Sequence, residues 1–326
     1  MKLESFLRNI LLSRWYEHIP ILYAWYEHSI KREVLKHGVP QHIAIIQDGN
    51  RRYAKMLGEA TEKGHMRGAD ATERTLEWCQ EIGVRQLTLY SFSTENFKRS
   101  EKEKKAIFEL MKEKFRDSRV SERTHNNKLR IRSVGELDLL PPDMLEEIRL
   151  TDEATRGYDR LFLNIAIAYG GRQEIVDCAR KLARDVKNGT LDPADIDESM
   201  IDGGLYIDKN PKTDVDLIIR TGGEERTSNF LPWQASGNEC AFHICAPYWP
   251  EFRKIDFLRA IRAYQIRERE HNVKMAIRMI KLDRQNGGVR VEDIRKNLSE
   301  SLEISYEEAD SILTSPQVRK ELMKPA

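Results

Sequence analysis

Five consecutive residues, Asp48-Gly49-Asn50-Arg51-Arg52, place a carboxylate, a turn and two fixed cations directly after the apolar run Ile43-Ala44-Ile45-Ile46. The run has the length and character of a buried strand. Its C-terminal end would set the charged group at one edge of a sheet, where ligands collect in open α/β folds. Each residue type has a use there. A carboxylate such as that of Asp48 can hold a hard cation such as Mg2+. Gly49 permits close backbone approach, and Asn50 tolerates unusual dihedral angles. Arg51 and Arg52 can fork onto phosphate oxygens. Residues 53–57 have the composition of the first turns of a helix, whose N-terminus also favours anions. The chemistry is that of a magnesium and polyphosphate site. Taken alone, the same residues also fit a surface turn with solvated charges.

A second cluster has the same design. Asp216-Leu217-Ile218-Ile219-Arg220-Thr221-Gly222-Gly223 is an apolar run ending in a cation and two glycines, followed by Arg226, Ser228 and Asn229. Backbone N–H groups of a glycine-rich turn, two arginines and a hydroxyl suit a second diphosphate. No Gly-Lys-Ser/Thr follows, so a P-loop and nucleoside triphosphate binding are not indicated. Two diphosphate sites at two strand ends suggest an enzyme that joins two diphosphate esters.

These clusters need a scaffold, and the rest of the chain supplies its pattern. Strands are expected at 43–46, 86–91, 129–134, 161–167, 217–220 and 241–245, with helices such as 70–82, 102–115, 174–188 and 255–269 between them. Such alternation predicts an α/β fold, a single domain with a mostly parallel central sheet flanked by helices. Pro141-Pro142 marks the start of a helix over 143–155, and 191–196 carries another helix-start signal. No linker rich in Gly, Ser or Pro divides the core. The expected organisation is an N-terminal aromatic helical segment (1–39), a catalytic domain (40–272) and a C-terminal helical extension (273–326) without readable chemistry.

Four blocks in order, HIAIIQDGNRRYAK (42–55), LTLYSFSTENFKR (87–99), LNIAIAYGGR (163–172) and DLIIRTGGE with SNFLPWQ (216–224 and 228–234), resemble those of the cis-prenyltransferases, the family of undecaprenyl and dehydrodolichyl diphosphate synthases. The Asp-Gly-Asn-Arg-Arg-Tyr form is similar to its archaeal and eukaryotic branch. The resemblance covers roughly 40–269 and implies the family fold and its reaction. That reaction is Mg2+-dependent condensation of isopentenyl diphosphate with an allylic prenyl diphosphate, giving a Z-polyprenyl diphosphate. It also implies roles. Asp48 handles magnesium and the allylic diphosphate, with Gly49, Asn50, Arg51, Arg52 and His65 around that group. Asn96 and Arg99 assist ionisation, in a block that also carries the substrate-binding residues Ser93 and Glu95. Arg220, Arg226 and Ser228 bind isopentenyl diphosphate, and Glu239 is a second magnesium ligand.

Three departures from the family pattern fall mainly around the acceptor. Thr61 stands where a basic residue is usual, which leaves Arg67 as a substitute. The Arg-x-Gly element that completes a dimer interface is absent after Arg269. Asn238 and Cys240 flank Glu239 in place of small or aromatic residues. These departures leave open a synthase joining two allylic units or using another acceptor; a phosphatase-like hydrolase is a further alternative, and a non-catalytic partner subunit of the same fold is disfavoured by the presence of Asp48, Arg52, Asn96, Arg99, Arg220, Arg226 and Ser228. The reaction requires an apolar tunnel, expected along 107–115, 144–148 and Leu163, Ile165 and Ile167. The short 109–129 spacing suggests a medium-length product.

Composition is that of a soluble globular protein with a heavily charged surface. The 326 residues are 40% hydrophobic and 33% charged, with a net charge of +1, which gives no argument for nucleic acid or an anionic membrane. Cys79, Cys178, Cys240 and Cys245 form no Cys-x-x-Cys pair and read as buried thiols. No signal peptide or membrane span is evident, so a cytoplasmic location is expected. The repeat Trp15-Tyr16-Glu17-His18 and Trp25-Tyr26-Glu27-His28 fits a helix packed on its own domain or one resting peripherally on a membrane. A homodimer is expected through an apolar stripe, Phe252, Ile255, Leu258, Ile261 and Tyr264, together with 230–233.

Overall fold

The computed structural model describes residues 20–207, 211–235, 240–285, 288–302 and 304–324. The apolar runs form β1 (His42–Ile46), β2 (Gln86–Ser93), β3 (Leu129–Val134), β4 (Leu161–Tyr169), β5 (Leu217–Arg220) and β6 (Ala241–Ile244). They make one sheet in the order β3-β4-β2-β1-β5-β6, and every pairing is parallel. The helices are α1 (Pro20–Val34), α2 (Asn50–Met56), α3 (Thr61–Ile82), α4 (Glu101–Val120), α5 (Glu122–Asn126), α6 (Pro142–Thr155), α7 (Gly171–Lys187), α8 (Glu198–Asp202), α9 (Lys254–Gln285), α10 (Val291–Ser301), α11 (Tyr306–Leu313) and α12 (Pro316–Leu322). The chain divides into two compact units, Met1–Ile261 and Arg262–Ala326.

The first unit carries the sheet. All five residues of β1 are buried, as a parallel strand covered on both faces requires. Ile43, Ile45, Leu87, Leu89, Ile131 and Leu163 form the core on one face. Ala44, Ile46, Val134, Ala166, Ile218 and Phe230 form it on the other. The chain leaves β1 toward β2 and later returns to its other side as β5. The strand order thus reverses at β1, and Ile46 lies opposite both Tyr90 and Arg220. A reversal of this kind opens a crevice at the C-terminal strand ends.

Several boundaries differ from the pattern-based expectation. The helix expected over 70–82 begins nine residues earlier, at Thr61, so Gly64 and His65 lie inside it. Glycines at 64 and 68 weaken the helical signal. Their reason is tertiary: a Cβ on Gly64 would stand 2.2 Å from the Asn50 carbonyl oxygen, and one on Gly68 2.5 Å from Asn50 Oδ1. β2 and β4 extend to Ser93 and Tyr169. The helix-start signal at 191–196 yields only a short 3-10 turn, Pro193–Asp195, capped by Asp192 Oδ1 at 2.8 Å from the Ala194 amide. The last long helix runs unbroken from Lys254 to Gln285.

Phe252, Ile255, Leu258 and Ile261 are buried within the single chain, as are Phe230 and Leu231. These six of the residues expected at a dimer interface are therefore already spent on the fold, whereas Tyr264 and Trp233 are half-buried and Pro232 is exposed. On α1, Ile30 and Val34 are buried while Ile21, Leu22 and Trp25 are exposed. Tyr26 lies beneath the Arg259 guanidinium, 5.3 Å from ring centre. The first copy of the aromatic repeat, at Trp15, lies outside the described residues. Cys79, Cys178 and Cys245 are buried free thiols and Cys240 is half-buried. Among the described residues no helix is long and apolar enough to cross a membrane.

The second unit has a core of its own. Ala276 and Ile280 of α9 pack with Ile294, Leu298, Ala309, Ile312 and Val318 from α10, α11 and α12. Arg284 Nη1 pairs with Glu321 at 3.2 Å. Ser305 and Glu308 form a reciprocal capping box at the start of α11. The segment expected as a charged appendage is a small packed helical unit.

Candidate active site at the ends of β1 and β5

Asp48 follows β1 after Gln47 and is caught between the two expected arginine sets. Its Oδ1 lies 3.0 Å from Arg52 Nη2 and its Oδ2 2.7 Å from Arg220 Nη2. The two diphosphate clusters of the sequence are thus one constellation, because β1 and β5 are neighbours in register. Arg220 is only 2% exposed and also donates through Nη1 to the Arg226 carbonyl and, at 2.8 Å, to Ser228 Oγ. Its Nε is buried without a partner. Arg52 donates to the Gly222 carbonyl at 3.2 Å and lies 5.1 Å from the centre of the Tyr248 ring.

The backbone around Asp48 is held by the segment after β6. The Asp48 carbonyl accepts from Thr221 Oγ1 at 2.8 Å and from the Trp249 amide at 3.0 Å. Gly49 adopts φ 110°, and a Cβ there would meet Tyr248 Cδ1 at 2.5 Å. Both reasons demand glycine. Trp249 is anchored by Nε1 donating to the Gly68 carbonyl at 2.7 Å. Tyr248 and Trp249 carried no signal in the sequence, since only the return of the chain brings them here.

A second group lines the same cavity, from the end of β2 and the turn after it, with Arg51 of α2 and His65 of α3 nearby. Ser93 and Asn96 cap a short 3-10 turn, Thr94–Lys98, in which the Ser93 amide donates to Asn96 Oδ1 at 3.2 Å. That bond leaves the Asn96 amide N–H groups for the cavity. Arg99 Nη1 lies 3.1 Å from Glu103 Oε1, and Arg51 Nε and His65 Nε2 each lie 3.6 Å from the same oxygen. One carboxylate thus lies close to three nitrogen-bearing groups. Arg99 is extended and Glu103 lies in the first turn of α4, so their pairing across the Ser100 cap follows from the turn and not from helical spacing. Burial, and then the Arg99 charge, hold the His65 imidazole below its ordinary pKa, and its Nε2 has no hydrogen-bond partner. Glu95 lines the rim and is exposed.

The cavity holds about 900 Å3. Its mouth is formed by Asp48, Asn50, Arg51, Arg52, Arg220 and Ser228. Its depth is lined by Leu76, Leu89, Ile107, Met111, Phe115 and Ile165. Leu163 is also on the wall, whereas Met144, Ile148 and Ile167, expected there, are packed into the core instead. Arg226 reaches the mouth with its side chain 70% exposed. Arg67 does not substitute for the missing base at Thr61. It pairs with Glu59 at 2.9 Å and stands over the Tyr53 ring, and it is not among the residues that line the cavity, although Glu59 is. Glu239 and Asn238 lie outside the described residues.

The donor set admits a hard cation. Among the described residues no group of three His, Cys, Asp or Glu side chains converges. Mg2+ does not need one, since it keeps several waters and is held by one or two carboxylates together with substrate phosphates. Asp48 supplies one carboxylate, and Asn50 Oδ1 beside it is buried without a partner.

The chain matches the sequence model of the prenyltransferase family described as undecaprenyl diphosphate synthase over residues 46–272. It is 49% identical over 263 residues to the tritrans,polycis-undecaprenyl-diphosphate synthase (geranylgeranyl-diphosphate specific) of Methanosarcina mazei, covering 80% of this chain and 88% of the relative. It is 50% identical over 248 residues to the protein of the same name from Archaeoglobus fulgidus, covering 76% and 98%. Among solved structures, lavandulyl diphosphate synthase from Lavandula x intermedia, in complex with dimethylallyl diphosphate, superposes with a TM-score of 0.65 at 31% identity, covering 72% of this chain and 96% of that one.

Proposed function

This chain belongs to the undecaprenyl diphosphate synthase family of prenyltransferases, and on that premise we propose that it condenses isopentenyl diphosphate with an allylic prenyl diphosphate to give a Z-polyprenyl diphosphate. Geranylgeranyl diphosphate is the proposed primer and undecaprenyl diphosphate the proposed product, as named for both archaeal relatives. The observation that carries this reading is the position of Asp48 between Arg52 and Arg220 at the mouth of a cavity whose depth is apolar. Such a cavity takes a charged head and a growing hydrocarbon tail.

In this reading the allylic diphosphate lies among Gly49, Asn50, Arg51, Arg52 and His65. Ser93, Glu95, Asn96 and Arg99 border its leaving oxygens. The isopentenyl diphosphate lies on Arg220, Arg226 and Ser228. Asp48, with Glu239, would hold Mg2+, which when bound neutralises charge on the departing diphosphate. The protein's own part is electrostatic and geometric. Fixed guanidinium groups meet the oxygens where charge accumulates, and pairing with Asp48 and Glu103 pre-orients them. Leu76, Ile107 and Phe115 exclude water from the hydrocarbon.

The reading includes work in the cytoplasm at a membrane surface and a homodimer. Exposed Ile21, Leu22 and Trp25 on α1 support the membrane contact, which co-sedimentation of Trp25→Glu with lipid vesicles tests. Light scattering tests the dimer, to which the buried Phe252, Ile255, Leu258 and Ile261 are not free to contribute.

One incubation decides the main reading. Purified protein, Mg2+ and labelled isopentenyl diphosphate are combined with allylic primers of increasing length, and products are resolved by size. Elongation strongest with geranylgeranyl diphosphate is expected. A product formed from two allylic units alone, or release of diphosphate without coupling, would overturn it.

A further inference from the structure

Between the charged mouth of the cavity and its apolar depth stand three half-buried polar side chains, Gln47, Thr72 and Ser91. They come from different elements: the residue after β1, the middle of α3, and β2. Ser91 Oγ donates to Gln47 Oε1 at 3.0 Å, Gln47 Nε2 donates to Thr72 Oγ1 at 2.8 Å, and Thr72 Oγ1 donates to the Gly68 carbonyl at 3.2 Å. The last bond fixes the direction of the chain. With its proton on a helix carbonyl, Thr72 accepts from Gln47, and Gln47 must turn its carbonyl to Ser91. Both hydroxyl protons are consumed within the wall. Apart from one amide N–H of Gln47, the collar offers the cavity oxygen lone pairs.

A second observation shows that the fold is adjusted at this level. The pairing of β2 with β4 steps from Tyr90↔Ala166 to Phe92↔Ile167, so Ser91 has no partner and the register shifts. Extra residues of this kind re-aim a side chain beside an active site. Leu89, two residues before Ser91 on the same face of β2, and Leu76, one turn after Thr72 on α3, line the same cavity. Three polar groups at this level cost apolar contact with a hydrocarbon, so their value must lie in charge. In a low-dielectric wall, oriented dipoles act more strongly than in water.

We propose that the Gln47–Thr72–Ser91 collar stabilises the allylic cation of the condensation. The inference rests on the function proposed above. In that step the C1–O bond of the allylic diphosphate breaks and its electron pair leaves with the diphosphate. The cation is then captured by the π pair of the isopentenyl double bond, which becomes the new C–C bond, and a proton is released to the departing diphosphate. The collar oxygens face the positive charge for the lifetime of that cation and make no comparable interaction with the neutral hydrocarbon. They therefore act on the transition state and not on ground-state binding.

Rapid-quench single-turnover kinetics on Thr72→Val, Thr72→Ser, Ser91→Ala and Gln47→Met test this, with KM for both substrates, product length and melting temperature measured in parallel. Thr72→Val keeps the shape and removes the oxygen, whereas Thr72→Ser keeps the oxygen. Expected is a fall of roughly ten- to a hundredfold in the chemical step for Thr72→Val and Ser91→Ala, with near-unaltered KM values and retention by Thr72→Ser. Equal losses in Thr72→Val and Thr72→Ser would mean a packing role and overturn the proposal. So would unaltered rates, or a change in product length alone. Failure of the unsubstituted chain to condense any primer would overturn the proposed function itself, and the collar's role with it.

Discussion

Asp48 does more than offer a free carboxylate. It is the counter-charge of an arginine that is only 2% exposed. Asp48→Asn is expected to lower turnover by about a thousandfold or more. It should also lower the unfolding free energy, because the buried Arg220 would keep its charge with only neutral partners, the Arg226 carbonyl and Ser228 Oγ. Steady-state assay and denaturant titration measure the two effects separately. The arginines of the second cluster should also behave differently from one another. Arg226→Ala, at an exposed rim, should raise the KM for isopentenyl diphosphate selectively. Arg220→Ala should depress kcat and perturb both KM values, since Arg220 contacts Asp48 as well as Ser228. Similar kinetic profiles for the two variants would contradict this assignment.

His42, at the other end of β1, supplies a pH prediction. It is fully buried, with Nε2 2.7 Å from Thr88 Oγ1 and Nδ1 2.9 Å from the Asp214 carbonyl. Burial lowers its pKa to about 4, against a partial upward pull from the Asp214 carbonyl. Between that value and the ordinary histidine range the unfolded chain binds the extra proton and the folded chain does not. Stability is therefore retained above about pH 6.5 and lost as pH falls toward 4, by roughly 3 kcal/mol in total. Chemical denaturation from pH 7 to 4 should show that slope, and His42→Gln should flatten it.

At the scale of elements, the site depends on how closely α2 and α3 approach. Gly64 admits the Asn50 carbonyl and Gly68 admits the Asn50 side chain and Trp249. Gly64→Ala would force a methyl against backbone, which cannot rotate away. A loss of about 1–3 kcal/mol in stability is expected, with weaker binding of the allylic diphosphate because Asn50 and Arg51 begin the displaced helix. Gly157→Ala, which meets nothing within 4 Å, is the control and should be near neutral. Thermal melts and primer KM values on both variants check the contrast.

At the scale of the whole molecule, the C-terminal unit is a packed body and not a tail that can be trimmed at will. Removing residues after about 290 would strip Ile294, Leu298, Ile312 and Val318 from Ala276 and Ile280. A truncated chain should keep the residues of the cavity, all of which lie in the first unit, yet expose an apolar face on α9 and lose solubility. Ile294→Asp is the gentler probe. A buried unpaired carboxylate should destabilise the second unit by several kcal/mol, while condensation stays within about twofold of the unsubstituted chain. Calorimetry resolves the first effect and product assay the second. Loss of activity in a chain whose first unit remains folded would show that the second unit serves catalysis.

Sequence alone was sufficient for the sheet, because the central strands β1, β4 and β5, buried almost throughout, must be written as apolar runs, while the edge strand β3 alternates apolar and charged residues, and all six stand between helical stretches. It was also sufficient for the two phosphate-suited clusters and for the family resemblance, since those features are contiguous along the chain. What needed the tertiary structure was every relation between segments distant in sequence. Asp48 meets Arg220 only because β5 returns beside β1. Tyr248 and Trp249 close over Gly49 only because the chain comes back after β6. The glycines of α3 read as helix weakeners until Asn50 is seen against them. The expected dimer stripe failed for the same reason: helical periodicity marks an apolar face but not what covers it. Residues 47, 72 and 91 each look unremarkable in their own segments, and only the packing of β1, α3 and β2 around one cavity joins them into a hydrogen-bonded collar.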